Sequence, residues 1–196
     1  MSATKGERTR DRLLERAIER FAIDGFRQTS VSAVARAAGI TPGAAYAYFP
    51  NKAALFAAAV DADTAALVAE ATTPLRDLGP RDRLLGLVLG LIGGLDRHPL
   101  ARRVLAGQEP DVVGRLLELP ALAALRAENT SVLTRGQGAG LVRADVDPAV
   151  LALGLETVVL ALLMAQLQVS DRDEGMEAAR RAAVITVLDA AVAPPQ

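Results

Sequence analysis

Between Thr29 and Leu55 the chain reads TSVSAVARAAGITPGAAYAYFPNKAAL, and that stretch has little freedom in how it folds. Ser30 can cap a helix, because its hydroxyl accepts from a first-turn N–H that has no partner within the helix. Val31, Val34, Ala35 and Ala38 follow at helical spacing and make one apolar face. Gly39 stands where a helix end often requires positive φ, and Ile40 can anchor the turn in a core. Thr41 caps a second helix and Pro42 opens it, since a first-turn residue has no N–H bond to lose. Asn51, after Phe49 and Pro50, caps a third helix with Lys52 in its first turn. A cation there opposes the partial positive charge of a helix N-terminus. A phosphate held at that end would remove the opposition.

Helix, glycine turn, helix is the order of a helix-turn-helix, whose second helix lies in the major groove of double-stranded DNA. Gly39, Ile40, Thr41, Gly43, Tyr46, Tyr48, Phe49, Lys52 and Leu55 stand at fixed spacing. In this the chain resembles the tetracycline-repressor-like (TetR/AcrR) transcriptional regulators over roughly residues 9–56. It departs from their pattern at Ala45, where a larger apolar residue is common, and at Ala53, where Glu is common. A weaker likeness lies in GAGLVRADVDP, residues 138–148, which resembles a recurrent turn between two C-terminal helices. The resemblance implies an all-α chain. A three-helix helix-turn-helix DNA-binding domain, residues 1–56, would precede a helical ligand-binding and dimerisation domain, residues 57–196. It also implies DNA contact by Tyr46 and Tyr48, a four-helix dimer interface from the last two helices of each chain, and repression as the common mode.

Charge is distributed in keeping with that division. Residues 1–56 carry nine Lys or Arg against five Asp or Glu, a net of +4, while the remainder carries 13 against 18, a net of −5. A basic head on an acidic body suits a nucleic-acid-binding domain joined to something else. Aromatics are equally lopsided: Phe21, Phe26, Tyr46, Tyr48, Phe49 and Phe56 are all six, so any ligand of the body meets aliphatic walls. There is one His and no Cys, and no metal-ligand cluster, nucleophile–base pair or phosphate loop is evident in the sequence. An enzyme, a metal and a cofactor are therefore not expected. The charged start MSATKGERTRDRLL has no apolar leader. The apolar run from Leu84 to Leu95 falls short of the about 20 residues a bilayer span needs. A soluble cytoplasmic protein without a membrane partner is expected.

Periodicity predicts helices over about Thr9–Asp24 (ended by Gly25), Asn51–Ala71, Arg81–Asp96 and Leu100–Ala106. It predicts a helical region over 111–135 interrupted near Pro120, and helices from Pro148 to about Gln168 and from about Asp173 to Ala193. Between Ala149 and Ala165 the only charge is Glu156, and a helix apolar nearly all round is buried on more than one side. A second copy of the chain can supply that cover, which makes Leu153, Leu160, Met164, Val184 and Leu188 the candidate dimer interface.

The candidate DNA-binding residues are Ser30, Arg36, Thr41, Gly43, Ala44, Ala45, Tyr46, Tyr48 and Lys52. The second motif helix carries no Arg, Asn or Gln for bidentate base pairing. Readout is expected from Ala44 and Ala45 against thymine methyls, from Thr41 and the tyrosines, and from DNA shape, with Arg36 and an N-terminal arm bearing Lys5 and Arg8 adding contacts. In the body, Gly86, Gly90, Gly93 and Gly94 share one helical face, which suggests close helix approach or room for a ligand. Gly90, Gly94, His98, Glu156 and Gln166 are the candidate ligand-binding residues. His98 also reads as a surface or capping residue. Glu156 and Gln166 also read as partners of Arg180 or Arg181 across a dimer, or as water-facing. The expected partners are an operator, a second copy and a small, largely apolar effector. The alternative is a helical protein-interaction module that keeps the fold without specific DNA binding.

Overall fold

The computed structural model describes residues 4–110, 118–168 and 174–194. The first part of the helical region expected from 111 and the start expected at Asp173 lie outside the described residues. Among those described, all regular structure is helical: α1 (Lys5–Gln28), α2 (Val31–Ala37), α3 (Pro42–Tyr48), α4 (Lys52–Thr72), α5 (Pro80–Gly94), α6 (Pro99–Leu105), α7 (Pro120–Gly138), α8 (Pro148–Gln168) and α9 (Glu174–Val192).

α1 begins four residues before the expected start. Thr4 Oγ1 accepts from Glu7 N–H at 3.2 Å and Glu7 Oε2 accepts from Thr4 N–H at 2.6 Å, a reciprocal capping box. Lys5 and Arg8 therefore belong to the first turn of a helix and not to an arm. Gly25, at φ 75°, breaks the helical run where the sequence suggests. The head is packed around Leu13, Ala17, Phe21, Val34, Ala35, Ala45 and Leu55, all without solvent exposure. Phe56 holds it to α1, with ring centroids 4.8 Å from Phe21 and 5.0 Å from Phe26.

α4 is shared by head and body, so the expected boundary after residue 56 falls inside a continuous helix. Its two aspartates fasten the body to it. Asp61 Oδ1 accepts from Ala121 N–H at 2.9 Å in the first turn of α7. Asp63 Oδ2 accepts from Leu100 and Ala101 N–H at 2.9 and 2.8 Å in the first turn of α6. Each carboxylate satisfies donors that a helix start leaves without intrahelical partners.

α5 runs antiparallel to α4 along its glycines. A Cβ at Gly86, Gly90 or Gly94 would meet Leu75, Ala71 or Leu67 respectively, whereas Gly93 faces open space. The stripe thus has three glycines and not four, and it faces a helix. α7 and α8 are joined by residues 139–147, where Gly140 takes φ 70° and Val142 is buried against Gly136. Asp147 Oδ1 caps α8 through Ala149 and Val150 N–H at 2.8 and 3.2 Å. α8 is long and apolar enough to cross a membrane, with a mean hydropathy of 2.1. In this fold one side of it, through Leu151, Leu155, Val159, Leu162 and Leu163, lies in the core of the body.

Candidate nucleic-acid interface and interior cavity

The caps that position α2, α3 and α4 form as the sequence predicts. Ser30 Oγ accepts from Ala33 N–H at 3.1 Å, Thr41 Oγ1 from Ala44 N–H at 3.3 Å and Asn51 Oδ1 from Ala54 N–H at 2.8 Å. Gly39 takes φ 69° in the turn. A hydroxyl that accepts in a cap still has its own proton to donate, so Ser30 and Thr41, both exposed, remain able to bond an external oxygen.

On α3 the outward face is Thr41, Pro42, Gly43, Ala44, Tyr46 and Ala47. Ala45 is not part of it. It has no exposure and packs in the head core, so its expected contact with a thymine methyl is excluded by geometry. Adjacent helical residues point about 100° apart, and Ala44 takes the outward direction. Tyr46 is half exposed, while Tyr48 is partly buried with its ring against the core. Gly43 faces open space, so nothing among the described residues requires a glycine there. Arg36 is exposed in the last turn of α2.

Lys52 answers its unfavourable position differently from the expectation. Its Nζ donates to the Arg27 carbonyl oxygen at 3.1 Å and lies 4.5 Å from the Phe26 ring centroid. It ties the end of α1 to the start of α4, leaving any phosphate contact a second role. Arg10 similarly lies over the Phe49 ring at 5.3 Å. A further joint links head and body. Glu109 Oε1 accepts from Phe26 N–H at 3.0 Å and from Arg103 Nε at 2.8 Å, and Arg103 also reaches the Ala22 carbonyl at 3.4 Å. Gly25 leaves the room this needs, because a Cβ there would stand 2.5 Å from the Arg103 guanidinium. Nothing local in the sequence marks that joint.

The body holds a cavity of about 60 Å³ between α4, α5, α6, α7, α8 and α9. Its walls are almost wholly leucine, valine and alanine, with Thr64, Arg126, Asn129 and Glu156 as the polar lining. Of the candidate ligand residues only Glu156 lines it. Gly90 and Gly94 are turned to α4, and Gln166 does not reach the cavity. His98 is buried elsewhere, with Nδ1 3.1 Å from Asp63 Oδ1 and Nε2 3.3 Å from Glu70 Oε2. It buttresses the carboxylate that caps α6, and is neither a surface residue nor a cavity ligand. Glu156 accepts from Arg126 Nε at 2.5 Å and from its terminal nitrogen at 3.4 Å. That hydrogen bond raises the pKa of the Arg126 guanidinium above its ordinary value, and the pair lies within one chain. Arg126 and Asn129, one turn apart on α7, escaped notice in the sequence, because Arg126 finds its partner on another helix and nothing local marks Asn129 as a cavity residue.

The candidate dimer residues separate. Leu153 is 44% exposed and lies on an apolar stripe of α8 with Val150 and Val158, while Val187 of α9 is 58% exposed. Met164 and Val184 are partly buried against their own core. Leu188, 5% exposed, and the partly buried Leu160 both line the cavity, so the more exposed α8 and α9 positions are their neighbours.

Residues 13–59 match the family model for bacterial regulatory proteins, tetR family. The chain is 32% identical over 106 residues to the uncharacterized HTH-type transcriptional regulator YdgC of Bacillus subtilis (strain 168). That match covers 54% of this chain and 47% of the relative, so it spans about half the relative's length. Among solved structures, SCO4942 from Streptomyces coelicolor is 29% identical with a TM-score of 0.63, covering 95% of this chain and 99% of that one. GusR of Salmonella enterica is 23% identical with a TM-score of 0.69, covering 96% and 97%. The fatty acid degradation regulator FadR from Bacillus halodurans is 19% identical with a TM-score of 0.67, covering 96% of each chain. The last two likenesses establish the fold.

Proposed function

This chain belongs to the tetR family of bacterial regulatory proteins, and from that premise we propose that it is a cytoplasmic transcriptional repressor, binding a palindromic operator as a homodimer and released by a small apolar effector. One observation carries the DNA reading. The exposed face of α3 is held out by a buried Ala45 and Phe49 and carries a free-standing tyrosine beside a glycine that internal packing does not require. Such a surface fits close approach to a groove wall. Without bidentate side chains on α3, specificity comes from Tyr46, from Ala44 against methyl groups and from DNA shape. Arg36 adds sequence-independent phosphate attraction.

The dimer reading rests on the apolar stripe of α8, because contiguous exposed apolar surface on a soluble chain commonly marks an interface. Two-fold protein symmetry is mirrored in a palindromic site. The effector reading rests on α4. The helix that begins in the head contributes Thr64, Leu67 and Val68 to the cavity wall. A ligand that widens the cavity must displace a wall, and displacing α4 carries the head with it. Release requires only that the ligand bind the displaced arrangement better than the operator-bound one.

Selection from a random-sequence duplex pool tests this reading. The expected outcome is an enriched site with two-fold symmetry, bound more weakly as salt rises, with a log–log slope of about −0.9 per phosphate contacted. No enrichment, or binding indifferent to salt, would refute it.

A further inference from the structure

We infer that the effector is a small uncharged aliphatic molecule carrying one hydroxyl, whose proton bonds Asn129 Oδ1. This rests on the reading of the chain as an effector-released regulator and adds the chemistry of the ligand. Asn129 is 8% exposed and lines the cavity, and among the described residues its Oδ1 has no hydrogen-bond partner. A buried acceptor left unpaired is costly, and a donor brought by a ligand removes that cost. The rest of the lining sets the other terms. Aliphatic walls with no aromatic ring favour an aliphatic body over one that needs stacking.

Charge is disfavoured by the neighbouring pair. Arg126 is already paired with Glu156, so an anion drawn to it would bring a second negative charge beside a carboxylate whose side chain is only 6% exposed. Like charges held together away from water repel strongly. A cation would have to evict Arg126 from the same bond. A hydroxyl disturbs neither. Size follows from the volume: at about 10–15 Å³ for each water-sized unit, about 60 Å³ admits a molecule of roughly four to six non-hydrogen atoms before any wall moves.

Three probes separate these terms on the full-length protein with Leu and Val methyls labelled for NMR. They are 1-butanol, its isomer methyl propyl ether, which accepts but cannot donate, and n-butylammonium. Saturable shifts confined to cavity methyls such as Leu87, Leu163 and Leu188 are expected with 1-butanol. It should bind about threefold to tenfold more tightly than the ether, the range a net neutral hydrogen bond supplies. Asn129→Leu should abolish the difference between the isomers. Should that variant fail to fold, the isomer comparison on the unaltered protein still decides. Equal binding of the isomers, no saturable shift with 1-butanol, or tighter binding of butylammonium would overturn the inference. Operator binding is measured on the same preparation. Its loss with the isomer preference intact refutes the regulator reading alone, and its presence without the preference refutes the ligand class alone.

Discussion

Replacing Gly90 by alanine sets two effects of known size against each other. In a helix interior alanine is better than glycine by about 0.8–1.0 kcal/mol. The added Cβ, however, would lie 3.1 Å from both Cα and Cβ of Ala71 and 3.3 Å from its carbonyl oxygen. These neighbours are backbone or bonded directly to it, so no rotamer change gives way, and α4 and α5 must part by a few tenths of an ångström. Overpacking of this kind costs about 1–3 kcal/mol. The net for Gly90→Ala is therefore about 0–2 kcal/mol of destabilisation. Gly93, three residues on in the same helix with nothing near its Cβ, supplies the control. Gly93→Ala collects the propensity gain without the clash, reduced to the extent that it lies near the helix end. The two variants should differ by about 1–3 kcal/mol, or roughly 2–12 °C in Tm at 2–4 °C per kcal/mol for a chain of this size. Calorimetry at matched protein concentration measures it, since any self-association makes Tm concentration-dependent. If Gly90→Ala is as stable as Gly93→Ala, the glycine seam is not a tight helix contact.

Asp63→Ala removes the acceptor of two α6 N–H groups and the partner of His98, so a loss of about 1–3 kcal/mol is expected in urea denaturation; an unchanged midpoint would show that the cap is replaced by solvent. Leu153→Glu should shift the proposed dimer toward monomer in sedimentation without unfolding the chain, because Leu153 is already 44% exposed in the single chain; a dimer left unaltered would place the interface elsewhere, and a wild-type monomer would refute the dimer reading. The Glu70 carboxyl is held below its ordinary value of 4.5, first by hydrogen bonding to Arg97 and then to His98. A depressed carboxylate stabilises the fold above its unfolded pKa and loses that contribution as pH falls through the folded one. The Tm difference between the unaltered protein and Glu70→Gln should therefore be full at pH 7 and close below about pH 4.5; a difference constant from pH 7 to pH 3 would contradict it.

What could be read from the sequence divides by distance along the chain. Ser30, Thr41 and Asn51 each cap within three residues of themselves, and Gly39 sets its own turn, so the head was legible almost residue by residue. The bounds of α8 were equally so, because Asp147 and Pro148 open it. The orientation of Ala45 was misread although a signal existed: it stands where the resembling proteins often carry a larger apolar residue, which marks a buried position. The glycine spacing of α5 was visible, but what lies opposite it on α4 was not. His98 finds Asp63 35 residues away, and Glu156 finds Arg126 30 residues away. No periodicity encodes such pairings, so in the sequence the two residues remained candidate ligands.

The continuity of α4 governs how this chain can be recombined with others. Asp61 and Asp63 lie beyond any cut made at residue 56, yet they hold α7 and α6 by their first turns. A chimera joining a foreign head at that point must keep the helical phase across the junction. A single inserted residue would turn both carboxylates about 100° away from the helices they fasten. Heads are therefore exchangeable only in register, and a graft that includes the whole of α4 must bring aspartates at matching positions.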